Sequence, residues 1–188
     1  MLIALVGMPG GGKSTVGRHL ARNLNLRFFD ADVEIEQRIG CPIRLFFEHE
    51  GEARFRDVEQ EVVADLVGRS DAVLAMGGGA VLSEASRLAL RERTTVIYLR
   101  SAPEELFRRL RHDTHRPMLQ VPDPLRKLRD LHTERDPLYR ATAHFVIETG
   151  RPSVHTLVNM VLMQLELAGI VGTQGREAVN KPAPKLGA

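Results

Sequence analysis

The clearest chemical signal in the sequence lies close to its amino terminus. Residues 7–14 read Gly-Met-Pro-Gly-Gly-Gly-Lys-Ser and match the pattern G-x-x-x-x-G-K-[ST] at every fixed position. A β-rich run precedes the pattern and a helical run follows it, which is the context of a phosphate-binding loop. Glycines let phosphate oxygens approach successive backbone amides, and the amino terminus of a helix adds partial positive charge. The sequence therefore predicts that the chain binds a nucleoside triphosphate.

The residues of this loop have separate predicted roles. Lys13 is expected to reach the β- and γ-phosphates, and the Ser14 hydroxyl is expected to ligate Mg²⁺. The other ATP contacts predicted in the loop are Gly10, Gly11, Gly12 and Thr15. The loop does not identify the acceptor, but the sequence has no Asn-Lys-x-Asp guanine-recognition motif and is short for a motor ATPase. A small-molecule kinase is the favoured interpretation.

Two carboxylates, Asp30 and Asp32, follow the second β-rich run. The carboxyl ends of parallel strands face the ligand crevice, and side chains two apart in an extended segment point the same way. Phosphoryl transfer needs one carboxylate near the metal and another near the attacking hydroxyl. The third β-rich run has no acidic residue for the metal, so Asp30 is predicted to hold Mg²⁺ through water. The alternative for Asp32 is a helix cap before Val33.

The third β-rich run ends in Gly77-Gly78-Gly79. Three glycines cost conformational entropy, which favours a loop that lets a ligand contact the backbone; an ordinary turn is the alternative. Arg56, on a predicted helix, is by itself indistinguishable from a solvated surface charge.

Short β-rich runs alternate with helical patterns, which is typical of a mostly parallel α/β sheet. The predicted strands cover residues 2–6, 27–29, 71–76, 94–99 and 144–147. The predicted helices cover residues 13–23 and 33–39, a stretch that ends near 67 with a break at Gly51, a segment capped by Ser83, another after Ser101, and residues 125–134 and 154–165. Ser101 and Glu104 resemble a capping box. Residues 112–124 lack apolar periodicity and contain three prolines, which indicates a functional loop.

Composition limits the remaining possibilities. A chain of 188 residues with 43% hydrophobic and 27% charged residues is typical of one globular domain. The net charge is +2 and the basic residues are dispersed, so nucleic-acid binding is not expected. Cys41 is the only cysteine, which excludes an intramolecular disulfide and a cysteine metal cluster. Without a signal peptide or a membrane-length apolar run, the chain is expected to be cytoplasmic.

The motifs, taken in order, resemble those of the shikimate kinase family from about residue 2 to about residue 165. The segments that carry the resemblance are the phosphate loop, Asp30-x-Asp32, Phe55-Arg56-x-x-Glu59, Gly77-Gly78-Gly79-Ala80-Val81, Arg116-Pro117 and Arg135-x-Pro137-Leu138-Tyr139. The resemblance implies phosphorylation of the 3-hydroxyl of shikimate by ATP with one Mg²⁺, in the pathway to chorismate and aromatic amino acids. It implies a nucleoside-monophosphate-kinase-like fold with a five-stranded parallel sheet, order 2-3-1-4-5, flanked by helices.

The resemblance also implies roles for individual residues. Arg56 and Arg135 would bind the substrate carboxylate, with the amides of residues 77–79 helping to place the substrate. Asp32 would orient or deprotonate the attacking hydroxyl, and Asp30 would act in the outer shell of the metal. Arg116 would reach the transferring phosphate, and Arg109 and Arg151 would flank the adenine.

The expected organisation is a single domain at 1–169 with an acceptor-binding region at about 31–62, a lid at about 112–124 and a flexible tail at 170–188. A monomer that binds no nucleic acid or membrane is expected. Two alternatives stay open at this point: a gluconate or nucleoside-monophosphate kinase, and a non-catalytic nucleotide sensor or nucleic-acid-dependent ATPase.

Overall fold

The computed structural model describes residues 1–113, 119–151 and 153–172, and its centre is one parallel β-sheet. The strands are β1 (Leu2–Val6), β2 (Arg27–Asp30), β3 (Ala72–Ala75), β4 (Thr95–Arg100) and β5 (Phe145–Glu148). They lie in the order β2-β3-β1-β4-β5, and every pair is parallel. This order confirms the fold that the motif resemblance implied.

Within the described ranges, six α-helices connect the strands and a seventh follows β5. They are α1 (Lys13–Leu24), α2 (Ala31–Ile39), α3 (Ile43–Val67), α4 (Glu84–Arg93), α5 (Pro103–Leu110), α6 (Pro124–Thr142) and α7 (Val154–Leu167). Gly51, with φ 81° and ψ 171°, interrupts α3 at the predicted break. Among these described residues, no helix combines the length and the apolar character needed to cross a membrane.

Alternating side chains of the buried strands build two apolar layers. On β1, Ala4 and Val6 face the layer that α2 to α6 cover, whereas Ile3 and Leu5 face the layer under α1 and α7. Strands covered on both faces become continuous apolar runs, which is why the sequence of β1 already predicted its bounds. The same arrangement directs the carboxyl ends of β1, β2 and β3 toward one edge of the sheet.

Two local predictions were wrong, and so was one alternative interpretation. Ser101 is not the cap of α5, because Ala102 holds that position without a side-chain cap and the Ser101 hydroxyl pairs instead with the Thr149 hydroxyl at 2.5 Å. Asp32 is not the cap of α2, because Asp30 occupies that position and its Oδ1 accepts from the Asp32 amide at 2.9 Å.

The other wrong prediction concerns α6, which does not end near residue 134 but continues through Pro137 to Thr142. Asp123 caps its start, and its core-facing positions run on from Leu128 and Leu131 to Arg135 and Tyr139. Because Arg135 occupies a core-facing position, the helical spacing of apolar residues is interrupted there, and the sequence pattern appeared to end. The longer helix brings Arg135 to the edge of the sheet where the phosphate loop lies.

Candidate active site

The phosphate loop joins β1 to α1 and is held tightly against β4. A Cβ atom on Gly7, where φ is +148°, would lie 2.5 Å from the Leu99 carbonyl oxygen, so only glycine fits there. Lys13 is buried, and its Nζ donates to the carbonyls of Gly7 and Met8 at 2.9 Å each. The loop therefore fixes an ammonium group at the amino terminus of a twelve-residue helix, where an anion is favoured.

The loop lines a cavity of about 590 Å³, which is large enough for a nucleoside triphosphate. This cavity is lined by residues that the sequence predicted to bind the phosphates and the metal, and by part of the glycine loop after β3. The predicted site residues in its wall are Gly10, Gly11, Gly12, Lys13, Ser14, Thr15, Asp30, Asp32, Gly77, Gly78 and Arg109.

Ser14 and Asp30 lie side by side in this cavity, and the Ser14 hydroxyl donates to Asp30 Oδ2 at 2.5 Å. Hydroxyl and carboxylate oxygens are the ligand types that Mg²⁺ accepts, and Mg²⁺ in such sites keeps several waters and takes substrate phosphates. No cluster of three or more histidine, cysteine or acidic side chains suited to a metal occurs in the described ranges. The donor set thus fits an ion held jointly by a few protein oxygens, nucleotide and water.

A second cavity, of about 440 Å³, adjoins the first and shares Pro9, Asp32, Gly77 and Gly78 with it. Its wall combines apolar rings with opposite charges, and its further residues include Phe47, Phe55, Arg56, Glu59, Gly79 and Arg135. Asp32 therefore stands where the two cavities meet, which is the position that a group acting on an attacking hydroxyl requires.

Two guanidinium groups in the second cavity have buried donors without partners among the described residues. Arg135 is only 4% exposed, and its Nε and Nη1 lack a hydrogen-bond acceptor there. Arg56 pairs with Glu59 at 2.7 Å and Glu52 at 3.3 Å, while its Nε is buried and unsatisfied. Buried donors of charged groups are costly when they stay unpaired, so this cavity is suited to an anion with planar oxygens.

Comparison with known proteins agrees with this geometry. The family model described as "Shikimate kinase" matches residues 9–166. The chain is 57% identical over 169 residues to a shikimate kinase of Ralstonia nicotianae, an alignment that covers 90% of this chain and 89% of the relative. It is 58% identical over 171 residues to one of Paracidovorax citrulli, covering 89% and 93%. The chain belongs to the shikimate kinase family.

A solved structure supports the assignment in three dimensions. The structure of the shikimate kinase from Acinetobacter baumannii in complex with shikimate superposes with a TM-score of 0.87 at 45% identity, covering 91% of this chain and 95% of that one. The resemblance that the motifs predicted is confirmed for this family member, and so is its identity as a kinase that uses ATP.

Two residues of the site, Glu59 and Tyr139, belong to the sequence motifs but were given no role from the sequence. Glu59 is buried, and burial raises the pKa of its carboxyl, an effect that the neighbouring Arg56 guanidinium partly opposes. The Tyr139 hydroxyl donates to the Gly78 carbonyl at 2.5 Å and so connects α6 to the glycine loop. The available signals were helical spacings, three residues from Arg56 to Glu59 and four from Arg135 to Tyr139, which place each pair on one helix face.

Two predicted nucleotide contacts, Arg109 and Arg151, lie at the margin of the site. Arg109 is exposed on α5, lines the nucleotide cavity and donates to the Gly10 carbonyl at 3.1 Å. Arg151 is exposed beyond β5 and does not line that cavity, whose wall on this side is formed by Ser153, Val154 and Leu157. Arg116 lies outside the described residues, as do most of the lid centre and residues 173–188 of the predicted tail.

A substitution at Gly79 tests whether the close contact between the glycine loop and Arg56 matters for substrate binding. A Cβ atom there would lie 2.1 Å from Arg56 Nη1, although the backbone angles of φ −96° and ψ 2° suit alanine. We expect Gly79→Ala to fold and to raise the KM for shikimate by about tenfold or more, because the guanidinium must move away. Steady-state kinetics for both substrates would measure this, with Gly68→Ala at the end of α3 as control. Equal KM values in the two variants would contradict the prediction.

Proposed function

We propose that this chain performs the reaction of its family, the ATP-dependent phosphorylation of shikimate at its 3-hydroxyl, in the pathway to chorismate and aromatic amino acids. The observation that carries the proposal is that Arg56 and Arg135 both have buried guanidinium donors without an acceptor among the described residues, in a cavity that opens onto the phosphate loop. Shikimate has one carboxylate and three hydroxyls. Its carboxylate can accept from planar arginine donors, and its hydroxyls can donate to a carboxylate.

The acceptor is held between two walls of the second cavity. Arg135 projects from α6 and Arg56 from α3, where the Arg56 guanidinium lies 5.2 Å from the centroid of the Phe55 ring and 6.0 Å from that of Phe47. Its bond to Glu59 further restricts its movement, so little side-chain entropy is lost when it binds a carboxylate. The glycine loop at residues 77–79 lies against the Arg56 guanidinium, and its amides help to orient the ring.

Asp32 receives the proton of the attacking hydroxyl of shikimate. At the same time the hydroxyl oxygen bonds to the γ-phosphorus, and the bond between the γ-phosphorus and the β–γ bridging oxygen breaks. Lys13 and the loop amides stabilise the negative charge that develops on the phosphoryl oxygens. Ser14 would hold Mg²⁺ directly and Asp30 would hold it through water, and the bound ion would neutralise phosphate charge. Catalysis thus consists mainly of alignment, because phosphoryl transfer needs little covalent participation from the protein.

The remaining assignments complete the proposal. The lid predicted at residues 112–124 would exclude water, and Arg116, which lies outside the described residues, would contact the transferring phosphate. Arg109 flanks the adenine, and Arg151 does so from beyond β5. The enzyme acts as a cytoplasmic monomer without nucleic acid or membrane. The formation of both cavities by residues of one chain supports the monomer.

ADP release measured by a coupled assay tests the function directly. The protein with Mg-ATP is expected to release ADP when shikimate is present and not when gluconate or single-stranded DNA replaces it. Phosphorus and proton NMR of the product would identify the phosphorylated hydroxyl. Turnover of gluconate without turnover of shikimate, or ADP release that depends on DNA, would overturn the proposal.

Truncation of one acceptor-binding arginine separates the two substrates. We expect Arg56→Ala to raise the KM for shikimate by about 10- to 100-fold, since hydrogen bonds to charged groups are lost, while the KM for ATP stays nearly constant. Arg54→Ala, an exposed arginine on the same helix, is the matched control. An unchanged shikimate KM in Arg56→Ala would remove Arg56 from the acceptor site.

A further inference from the structure

A polar cluster lies beside the acceptor cavity, between the carboxyl end of β4 and the middle of α6. Its centre is Asp136, whose Oδ1 accepts from the Tyr98 hydroxyl at 2.8 Å and from Arg100 Nε at 3.0 Å. Its Oδ2 accepts from Arg140 Nε, also at 3.0 Å. Asp136 does not line either of the two cavities that form the site, so the reaction described above leaves it without a role.

The position of Asp136 within α6 connects this cluster to the acceptor. Asp136 follows Arg135, and successive residues of a helix are turned by about 100° about its axis. Arg135 and Tyr139 therefore share the face toward the acceptor cavity, while Asp136 and Arg140 share the next face, toward β4. A rotation of α6 that moves the Asp136 carboxylate also moves the Arg135 guanidinium.

The helix is weakened at this place. Pro137 lies inside α6 and has no backbone N–H for the carbonyl four residues earlier, so one bond of the helix is missing next to Arg135. Only contacts from outside the helix can replace this restraint. These contacts include the bonds that Asp136 accepts from β4, the bond from the Tyr139 hydroxyl to the Gly78 carbonyl, and the Tyr139 ring, whose centroid lies 4.9 Å from that of Tyr98.

We propose that Asp136 is a positioning residue for the acceptor: its bonds to Tyr98 and Arg100 set the rotation of α6 and thereby the direction of Arg135. This inference rests on the proposed role of Arg135 in binding the shikimate carboxylate. The side chain of Asp136 is 19% exposed, so water screens these bonds only partly. Burial pushes the pKa of Asp136 up, but the bonds from Tyr98, Arg140 and Arg100 outweigh it and leave the pKa lowered, so the carboxylate is charged at neutral pH.

Asp136→Asn is the principal test, because it keeps the shape and replaces one accepting oxygen by an amide that opposes an arginine. We expect the KM for shikimate to rise by about five- to tenfold and the KM for ATP to change by less than about twofold, since only the acceptor arginine is displaced. Glu148→Gln is the matched control: Glu148 also bonds Arg100, at 3.2 Å, but from β5 and with a side chain 63% exposed. It is expected to leave both KM values within about twofold of the parent.

Tyr98→Phe provides a second, milder variant that keeps the ring against Tyr139 and removes one bond to Asp136. We expect it to raise the shikimate KM by about two- to threefold, and to have little further effect in the Asp136→Asn background, since bonded neighbours are not additive. If Asp136→Asn fails to fold, this variant decides the matter by the same KM comparison.

Arg135→Lys separates this inference from the proposed function. If Arg135→Lys raises the shikimate KM and neither Asp136→Asn nor Tyr98→Phe does, the positioning role is overturned and the acceptor site stands. If Arg135→Lys itself leaves the shikimate KM unchanged, the acceptor site is overturned, and the positioning role with it. A purely structural role for Asp136 would lower the melting temperature and the active fraction with both KM values unchanged, which also overturns the inference.

Discussion

Lys13→Met is expected to lower kcat by on the order of a thousandfold, because one fixed positive charge beside the transferring phosphoryl group is lost. The fold should be retained, because methionine is nearly as long as lysine and its apolar side chain is suited to a buried position. Burying an ammonium group costs free energy of folding. Removing it therefore offsets part of the stability that is lost with its two hydrogen bonds to the Gly7 and Met8 carbonyls. The coupled ADP assay at saturating shikimate and ATP measures kcat, and thermal denaturation measures stability.

Lys127→Met is the matched control for this substitution. Lys127 is exposed near the start of α6, and its replacement is expected to leave kcat within about twofold, as for most surface changes. A Lys13→Met protein with near-parental kcat would show that phosphate charge is stabilised elsewhere in the site. That result would contradict the assignment of Lys13 as a catalytic residue.

Asp32→Asn is the second substitution with a large expected effect. We expect kcat to fall by about 10²- to 10⁴-fold, the contribution typical of a positioned general base, because an amide cannot take up the hydroxyl proton. The helix α2 should be retained, since Asp30 and not Asp32 provides the side-chain cap. The KM for ATP is expected to change little, because the phosphate loop is unaltered.

The kinetic measurement for Asp32→Asn needs a control on a comparable carboxylate. Asp57→Asn serves, since Asp57 is exposed on α3 next to Arg56 and does not line either cavity of the site. Single-turnover experiments would separate the chemical step from product release. If the chemical step in Asp32→Asn were as fast as in the parent, Asp32 would be a binding residue and another group would accept the proton.

Much of the nucleotide site is readable from the sequence because its parts are contiguous. The phosphate loop occupies eight consecutive positions between a strand and a helix, and short-range geometry alone places its amides, Lys13 and Ser14 together. The bounds of β1 are likewise readable, since a strand buried on both faces is apolar at every position. The order of the strands followed only from the family resemblance, because strand pairing is a long-range choice.

The acceptor site depends on contacts between distant segments. Arg56 and Arg135 stand on different helices, and only the packing of α3 and α6 on the same face of the sheet brings them into one cavity. By sequence alone, Arg135 lay just past the apparent end of a helix that contains an internal proline. Tertiary contacts overrode that local signal.

Ser101 shows the same competition between local and long-range bonds. Its spacing to Glu104 suits a helix cap, but the folded chain brings the Thr149 hydroxyl within 2.5 Å, and Ser101 bonds to that partner instead. The sequence by itself determined the chemistry of this protein wherever the required groups are neighbours in the chain. Only the tertiary structure decided which distant charges meet, because burial and hydrogen-bond satisfaction are properties of the whole fold.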